Sequence, residues 1–245
     1  MNKDYQAIVF DLYGTLADIR TDEGDAKLWE AFSREMRGCG IDWPPERFRA
    51  AFSRLCAEEQ ARADAALAGT GLPGPAEGEI TRVWAAIGSA FGVSWPPEEL
   101  NAISWLFRRL STRRLRLFDG AKEVLEALHA RGKTVVLLSN AQGSFTRPEL
   151  DALGIADAFD HIILSSEAGV RKPSPAFFGR LWDLGLQPGS SLMVGNDDLC
   201  DCRGADKVGM DSLYIRTEQS PPLSGPLPAS CREIRALSDI LDILS

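Results

Sequence analysis

Apolar positions recur along the chain with two different spacings, and the change of spacing divides it. The stretch 6–11 is a short apolar run, Gln6-Ala7-Ile8-Val9-Phe10, that stops at Asp11 before the glycine-bearing turn Tyr13-Gly14-Thr15. It reads as a buried strand. From Asp18 to about Leu115 the spacing becomes helical, with no good strand candidate. Leu28, Trp29, Phe32 and Met36 follow Asp25, and Phe48, Phe52, Leu55 and Cys56 follow Pro44-Pro45-Glu46. Prolines at a helix start followed by an acid are an N-terminal signal. Two further helices are predicted over 79–91 and 96–114.

After Phe118-Asp119-Gly120 helices and strands alternate. Helices are predicted over 121–131, 147–153, 175–184 and 201–208, and strands over 134–138, 161–164, 191–194 and 212–215. The tail, 233–244, reads as an amphipathic helix. Such alternation implies right-handed crossovers and a mostly parallel sheet. The expected fold class is therefore α/β: a Rossmann-like, mostly parallel core built from residues 1–17 and 116–245, interrupted by an all-helical insert over 18–115.

Composition narrows the function. The chain has 245 residues, 44% apolar and 25% charged, which suits one large domain or a core with an insert. A formal charge of −8 argues against a nucleic-acid partner. The patch Arg108-Arg109, Arg113-Arg114 and Arg116 reads as a solvated helix face. The five cysteines are odd in number and form no C-x-x-C pair, and Cys200-Asp201-Cys202 is too tight for a usual zinc hook. No signal peptide is read, and apolar runs fall short of the ~20 residues of a membrane span. The expectation is a soluble, cytoplasmic protein without a membrane partner, monomeric or homodimeric. Gly69-Thr70-Gly71-Leu72-Pro73-Gly74 matches G-x-G-x-x-G, but no strand precedes it and no helix can follow Pro73 and Pro75, so it reads as a linker.

The strand ends hold the candidate chemistry, because ligands of open parallel sheets bind beyond the carboxyl ends of the strands. They present Asp11 with Tyr13 and Thr15, then Ser139 with Asn140, then Asn196, Asp197, Asp198 and Asp201; Lys172 lies in the loop 169–173. His129 falls inside a predicted helix and His161 at a strand start, so both read as structural and no Ser-His-Asp or Cys-His pairing can be assembled. Neither H-E-x-x-H nor a phosphate-binding G-x-x-x-x-G-K-[ST] occurs. A carboxylate-centred site remains. Asp11 is either its nucleophile or a residue that begins a turn or caps a helix.

Four motifs in order carry a resemblance: Phe10-Asp11-Leu12-Tyr13-Gly14-Thr15-Leu16, Leu137-Leu138-Ser139-Asn140, Lys172-Pro173-Ser174-Pro175, and Gly195-Asn196-Asp197-Asp198-Leu199-Cys200-Asp201 with Gly204-Ala205. The chain resembles the haloacid dehalogenase superfamily of hydrolases, subclass I, whose helical cap occupies the place of the insert.

In the phosphatase branch the resemblance implies that Asp11 attacks phosphorus and forms an aspartyl-phosphate. Thr15, Ser139, the Asn140 backbone amide and Lys172 then bind the phosphoryl oxygens. It also implies Mg²⁺, held by Asp11, the Tyr13 carbonyl and Asn196, with Asp201 acting through water and Asp197 compensating for a neutral Asn196. The substrate is expected to be a small phosphorylated, anionic metabolite. Two positions depart from the phosphatase pattern. Tyr13 stands where a second aspartate protonates the leaving group, and a phenol of ordinary pKa near 10 is a poor base at neutral pH. Asn196 stands where a metal-binding aspartate is usual.

The opening Phe-Asp-Leu-Tyr-Gly-Thr-Leu is also similar to the metal-independent 2-haloacid dehalogenases. Their fourth motif, however, has its asparagine three residues before the aspartate, whereas Asn196 lies five before Asp201. Their halide-binding arginine follows a Leu-Trp pair, and here Leu28-Trp29 is followed by Glu30. The phosphatase reading is favoured, with a dehalogenase second and a weakly catalytic, ligand-binding relative third. The insert is expected to close over the site and choose the substrate. Trp29, Phe32, Trp84 and Trp105 are its candidate pocket aromatics, although helical spacing assigns them first to the insert's own core.

Overall fold

The computed structural model describes residues 3–244. Its centre is a six-stranded, all-parallel sheet. The strands are β1 (Ala7–Phe10), β4 (Thr134–Ser139), β5 (His161–Leu164), β6 (Ser191–Gly195), β7 (Asp211–Ile215) and β8 (Cys231–Ile234), in the order β5-β4-β1-β6-β7-β8. From β1 the chain winds outward to β4 and β5 on one side and to β6, β7 and β8 on the other. β1 thus borders the point where the winding reverses, where α/β sheets bind ligands.

Side chains alternate between the two faces of the sheet, as period-two geometry requires. Ile8, Phe10, Val135, Leu137, Leu192 and Val194 pack on one face against Val124, Leu125 and Leu128 of α5 (Ala121–Ala130) and Ile240 of α10 (Asp239–Ile243). Val9, Val136, Leu138 and Met193 pack on the other against Phe177, Phe178, Leu181 and Ala205. Both faces being covered explains why the central strands read as unbroken apolar runs.

Four helices, α1 (Ala26–Gly38), α2 (Pro45–Thr70), α3 (Ile80–Ser89) and α4 (Pro97–Ser111), make a second core. Asp25 caps α1 by accepting from the Lys27 amide. Pro44 and Pro96 occupy the cap positions of α2 and α4. The core of these helices is aromatic: Phe52 stacks on Trp84 with centroids 5.1 Å apart, and Trp29 lies 5.4 Å from both Phe52 and Phe107. Phe145 of α6 (Gly143–Leu153) joins this cluster and ties it to the sheet domain.

Several expectations need correction. Residues 18–115 are not purely helical: β2 (Ala17–Thr21) and β3 (Thr112–Leu117) pair antiparallel at the two ends of the insert. Alternation in Arg114-Leu115-Arg116-Leu117 puts both arginines on one side, and both reach Asp18 at 2.9 Å. The arginine patch is thus no solvated helix face, and its first member, Arg108, is in a buried ion pair. The tail is not one helix, because Cys231–Ile234 forms an edge strand with exposed Arg232 and Glu233 before the short α10. The predicted helix over 175–184 is α-helical only over Pro175–Phe178 and tightens to 3₁₀ over Gly179–Leu184. The glycine-rich stretch starts inside α2, which runs to Thr70 and is closed by Gly71 at φ 72°. No helix among the described residues is long and apolar enough to cross a membrane.

Candidate active site

Parallel register sets the first part of the site. Phe10 pairs with Leu137 and with Val194, so β1, β4 and β6 end side by side and deliver Asp11, Ser139 and Asn196 to one edge. The Asp11 amide donates to the Val194 carbonyl at 3.0 Å, continuing the ladder one residue past the strand. Its carboxylate is nearly buried and faces the cavity beyond the sheet edge.

Lys172 binds the carboxylates together. Its Nζ donates to Asp11 Oδ1 at 2.8 Å and to Asp201 Oδ1 at 2.7 Å, and the side chain is 1% exposed. Burial opposes the ammonium charge, but Asp11 and Asp201 outweigh it and hold the lysine pKa above its usual value. Burial pushes the Asp201 carboxyl above the usual carboxylate range, against the pull of Lys172. The backbone that carries Lys172 is fixed by Asn140, whose amide accepts from the Lys172 N–H at 2.8 Å and donates to its carbonyl at 3.1 Å.

Hydroxyl groups complete the rim. Ser139 Oγ donates to Asp11 Oδ1 at 3.1 Å. Thr15 Oγ1 lies 3.5 Å from Asp11 Oδ2 and 3.2 Å from Asn196 Oδ1, so those two oxygens converge on one point. Gly14 allows this convergence: at φ 81° it is left-handed, and a Cβ there would stand 2.2 Å from Asn196 Nδ2.

The fourth-motif acids divide into different tasks. Asp201 accepts the Asp197 amide on Oδ2 at 3.0 Å, so both of its oxygens have protein partners. Asp197 caps the wide helical turn Asp198–Cys202, its Oδ1 accepting from the Leu199 and Cys200 amides. Asp198 turns away to Arg203 and Ser224.

A divalent cation fits this donor set. Asp11 Oδ2 and Asn196 Oδ1 are hard oxygens that share Thr15 Oγ1 as a neighbour, both residues line the cavity, and one ammonium cannot neutralise two buried carboxylates and a bound anion. No three carboxylate, thiol or imidazole side chains converge among the described residues. Oxygen donors of this kind, few in number, are the sort that Mg²⁺ accepts, because it keeps waters and substrate oxygens in its shell.

Tyr13 leads away from this cluster. Its phenol bonds to Glu149 Oε2 and lies 2.8 Å from Thr146 Oγ1, both on α6. Glu149 is fully buried and takes Arg108 Nε of α4 on its other oxygen at 2.6 Å. The Arg108 guanidinium lies 5.6 Å from the Tyr13 ring centre and 5.1 Å from that of Phe145. Burial and the Glu149 charge hold the phenol pKa above its ordinary value. The sequence places Arg108 only in the arginine patch and gives no sign of Glu149, since a buried pair across the two cores leaves no local periodic signal.

The cavity over Asp11 is small, about 190 Å³, and is walled by sheet-edge residues together with Gln219 and Pro221 from the segment after β7. None of the expected aromatics lines it. Trp29, Phe32 and Trp84 are buried in the helical core, and Trp105 borders a separate cavity of about 600 Å³ between α4 and α6.

Comparison with known proteins decides the family. Residues 5–209 match the profile of the haloacid dehalogenase-like hydrolases. The chain belongs to that family. It is 33% identical over 166 residues to a phosphoglycolate phosphatase of Yersinia pseudotuberculosis, covering 62% of this chain and 71% of that protein. It is 31% identical over 120 residues to a phosphoserine phosphatase of Thermus thermophilus, covering 49% and 48%. The chain spans about half the length of several such curated relatives. In fold it is similar to a 2-haloacid dehalogenase from Pseudomonas syringae, with a TM-score of 0.62, 21% identity and 98% of both chains covered. The chain is a haloacid dehalogenase-like hydrolase with a Rossmann-like α/β core.

Proposed function

We propose that this hydrolase is a Mg²⁺-dependent phosphatase of small phosphorylated metabolites, with Asp11 as its covalent nucleophile and the helices of the insert as its cap. The observation that carries the reading is the convergence of Asp11 Oδ2 and Asn196 Oδ1 at Thr15, beside a Lys172 already committed to Asp11 and Asp201. That arrangement ties down one oxygen of Asp11 through Lys172 and Ser139 and leaves the other with only the longer Thr15 contact. The phosphatase relatives support it, and so does the spacing of Asn196 and Asp201.

In this reading Lys172 and Ser139 orient the Asp11 carboxylate for in-line attack and draw charge from the phosphoryl oxygens. The Asp11–phosphorus bond forms as the bond to the leaving oxygen breaks, and water then cleaves the aspartyl-phosphate to return Asp11 and inorganic phosphate. Asp11, Asn196 and the Tyr13 carbonyl would hold Mg²⁺, which would supply positive charge against the transferring group. Asp201 keeps Lys172 in place and would act on the metal only indirectly. Tyr13 donates no proton to the leaving group, because its phenol is engaged with Glu149. Substrates whose leaving groups need no proton, acyl and aryl phosphates, are therefore turned over faster than alkyl phosphates.

The same Tyr13 geometry favours a second reading, a 2-haloacid dehalogenase, since halide departs without a proton. Against it, Glu30 follows Trp29 and is exposed, leaving no arginine in that place to hold halide. One experiment separates the readings. Phosphate release from acetyl and p-nitrophenyl phosphate with and without Mg²⁺ is measured beside halide release from 2-chloropropionate, for wild type and Asp11→Asn. Metal-dependent phosphate release lost in the variant supports the phosphatase; metal-independent halide release replaces it with the dehalogenase.

A further inference from the structure

Residues 216–230 join β7 to β8 across the open end of the site, and three anchors hold them there. Thr217 Oγ1 donates to the Gly14 carbonyl at 2.8 Å, within the nucleophile turn itself. The Gln219 side-chain amide donates to Asp18 on β2. The Ser224 amide donates to Asp198 Oδ1 at 3.1 Å, while Arg203 holds the Ser224 hydroxyl at 2.9 Å and the Pro226 carbonyl at 2.7 Å. Four prolines, at 221, 222, 226 and 228, stiffen the segment further. A strap fixed in this way gives Gln219 and Pro221 permanent places in the cavity wall, where the insert contributes no residue.

We infer that Gln219 is the specificity-determining residue of this hydrolase, selecting phosphate esters that carry a hydroxyl or ammonium donor close to the phosphoryl group and disfavouring those that carry a carboxylate. The orientation of its amide follows from its partner. A carboxylate only accepts, so the NH₂ group must face Asp18, and the carbonyl oxygen is what the side chain can offer to a ligand. Asp18 is itself immobilised, buried between Arg114 and Arg116 at 2.9 Å each. The carbonyl thus has a fixed direction, which is what a hydrogen bond needs to discriminate.

Charge reinforces the choice. Lys172 directs two of its three donors to Asp11 and Asp201 and its third serves the phosphoryl group, while Asp197 adds a further carboxylate to the same wall. A substrate carboxylate meets two acceptors there, the Gln219 carbonyl and Asp197, and no free cation among the lining residues. A hydroxyl or ammonium finds a partner.

This inference rests on the phosphatase reading and is tested so that the two can fail separately. Four probes are compared with Mg²⁺ present: phosphoethanolamine and glycerol 3-phosphate, which carry donors; phosphoglycolate, which carries a carboxylate; and acetyl phosphate, which carries neither. The expected result is that wild type shows higher kcat/KM for the two donor esters than for phosphoglycolate. Gln219→Leu, of similar size, lowers kcat/KM about tenfold for the donor esters, mostly through KM, the worth of one hydrogen bond. It leaves acetyl phosphate within about twofold, which also shows that the variant is folded. Wild type that prefers phosphoglycolate, or a Gln219→Leu effect equal on all four probes, overturns the inference and leaves the phosphatase intact. Release of phosphate from none of them overturns both.

Discussion

The phenol of Tyr13 is bonded to the buried carboxylate of Glu149, which is bonded in turn to Arg108 of the helical insert. The residue two places after the nucleophile therefore ties the reactive turn to α6 and α4. Placing an acid at this position restores a proton donor beside the leaving group. Tyr13→Asp is expected to raise kcat for alkyl phosphates relative to acetyl phosphate by about 10²-fold, the low end for general acid catalysis. Steady-state rates on glycerol phosphate and acetyl phosphate check it; an unchanged ratio refutes the assignment.

The Arg108–Glu149 pair is an internal clamp between the two cores, and its cost shows when only one partner is removed. Glu149→Ala leaves a guanidinium that is 13% exposed without its anion and is expected to destabilise by roughly 3–5 kcal/mol. Replacing both residues with methionine recovers most of the loss, because no charge is then stranded. Chemical denaturation of wild type and both variants measures this.

Asp18 gives the β2–β3 ribbon a pH dependence. Burial raises its carboxyl pKa, but Arg116, Arg114 and Gln219 outweigh burial and hold it below the value of the unfolded chain. A depressed folded-state pKa stabilises above the unfolded value of about 3.9 and is lost as pH falls through the folded value. Asp18→Asn is therefore less stable than wild type at neutral pH, and the gap narrows below about pH 4. Urea titrations at several pH values read the difference directly.

Gly195 is needed for space. A Cβ there would stand 2.1 Å from Asp201 Oδ2, so Gly195→Ala must push Asp201 off Lys172. Displacement of about an ångström in such a site costs on the order of 10²-fold in kcat. The expected variant is folded by circular dichroism and nearly inactive; full activity would show that Asp201 has no positioning role.

Much of this was legible in the residues themselves. Ile8-Val9-Phe10, Val135–Leu138 and Leu192–Val194 are buried on both faces and read as strands at once, and the polar residues closing them meet at one edge. What escaped lacks such a signal. β2 and β3 are joined across the whole insert, and arginines alternating with leucines carry the same charge signal as a solvated helix face. β8 is an edge strand whose exposed Arg232 and Glu233 hide its apolar side. Gln219 lies in a proline-rich connection with no periodicity, and only the folded chain shows that it borders the cavity.

The central claim is a bond between Asp11 and phosphorus. Mixing the enzyme with acetyl phosphate and Mg²⁺, quenching in acid and reducing with borohydride converts an aspartyl-phosphate to homoserine, which peptide mass spectrometry locates. Homoserine is expected at position 11 in wild type and not in Asp11→Asn. Turnover of acetyl phosphate with position 11 unmodified, or with the label on another side chain, would contradict it.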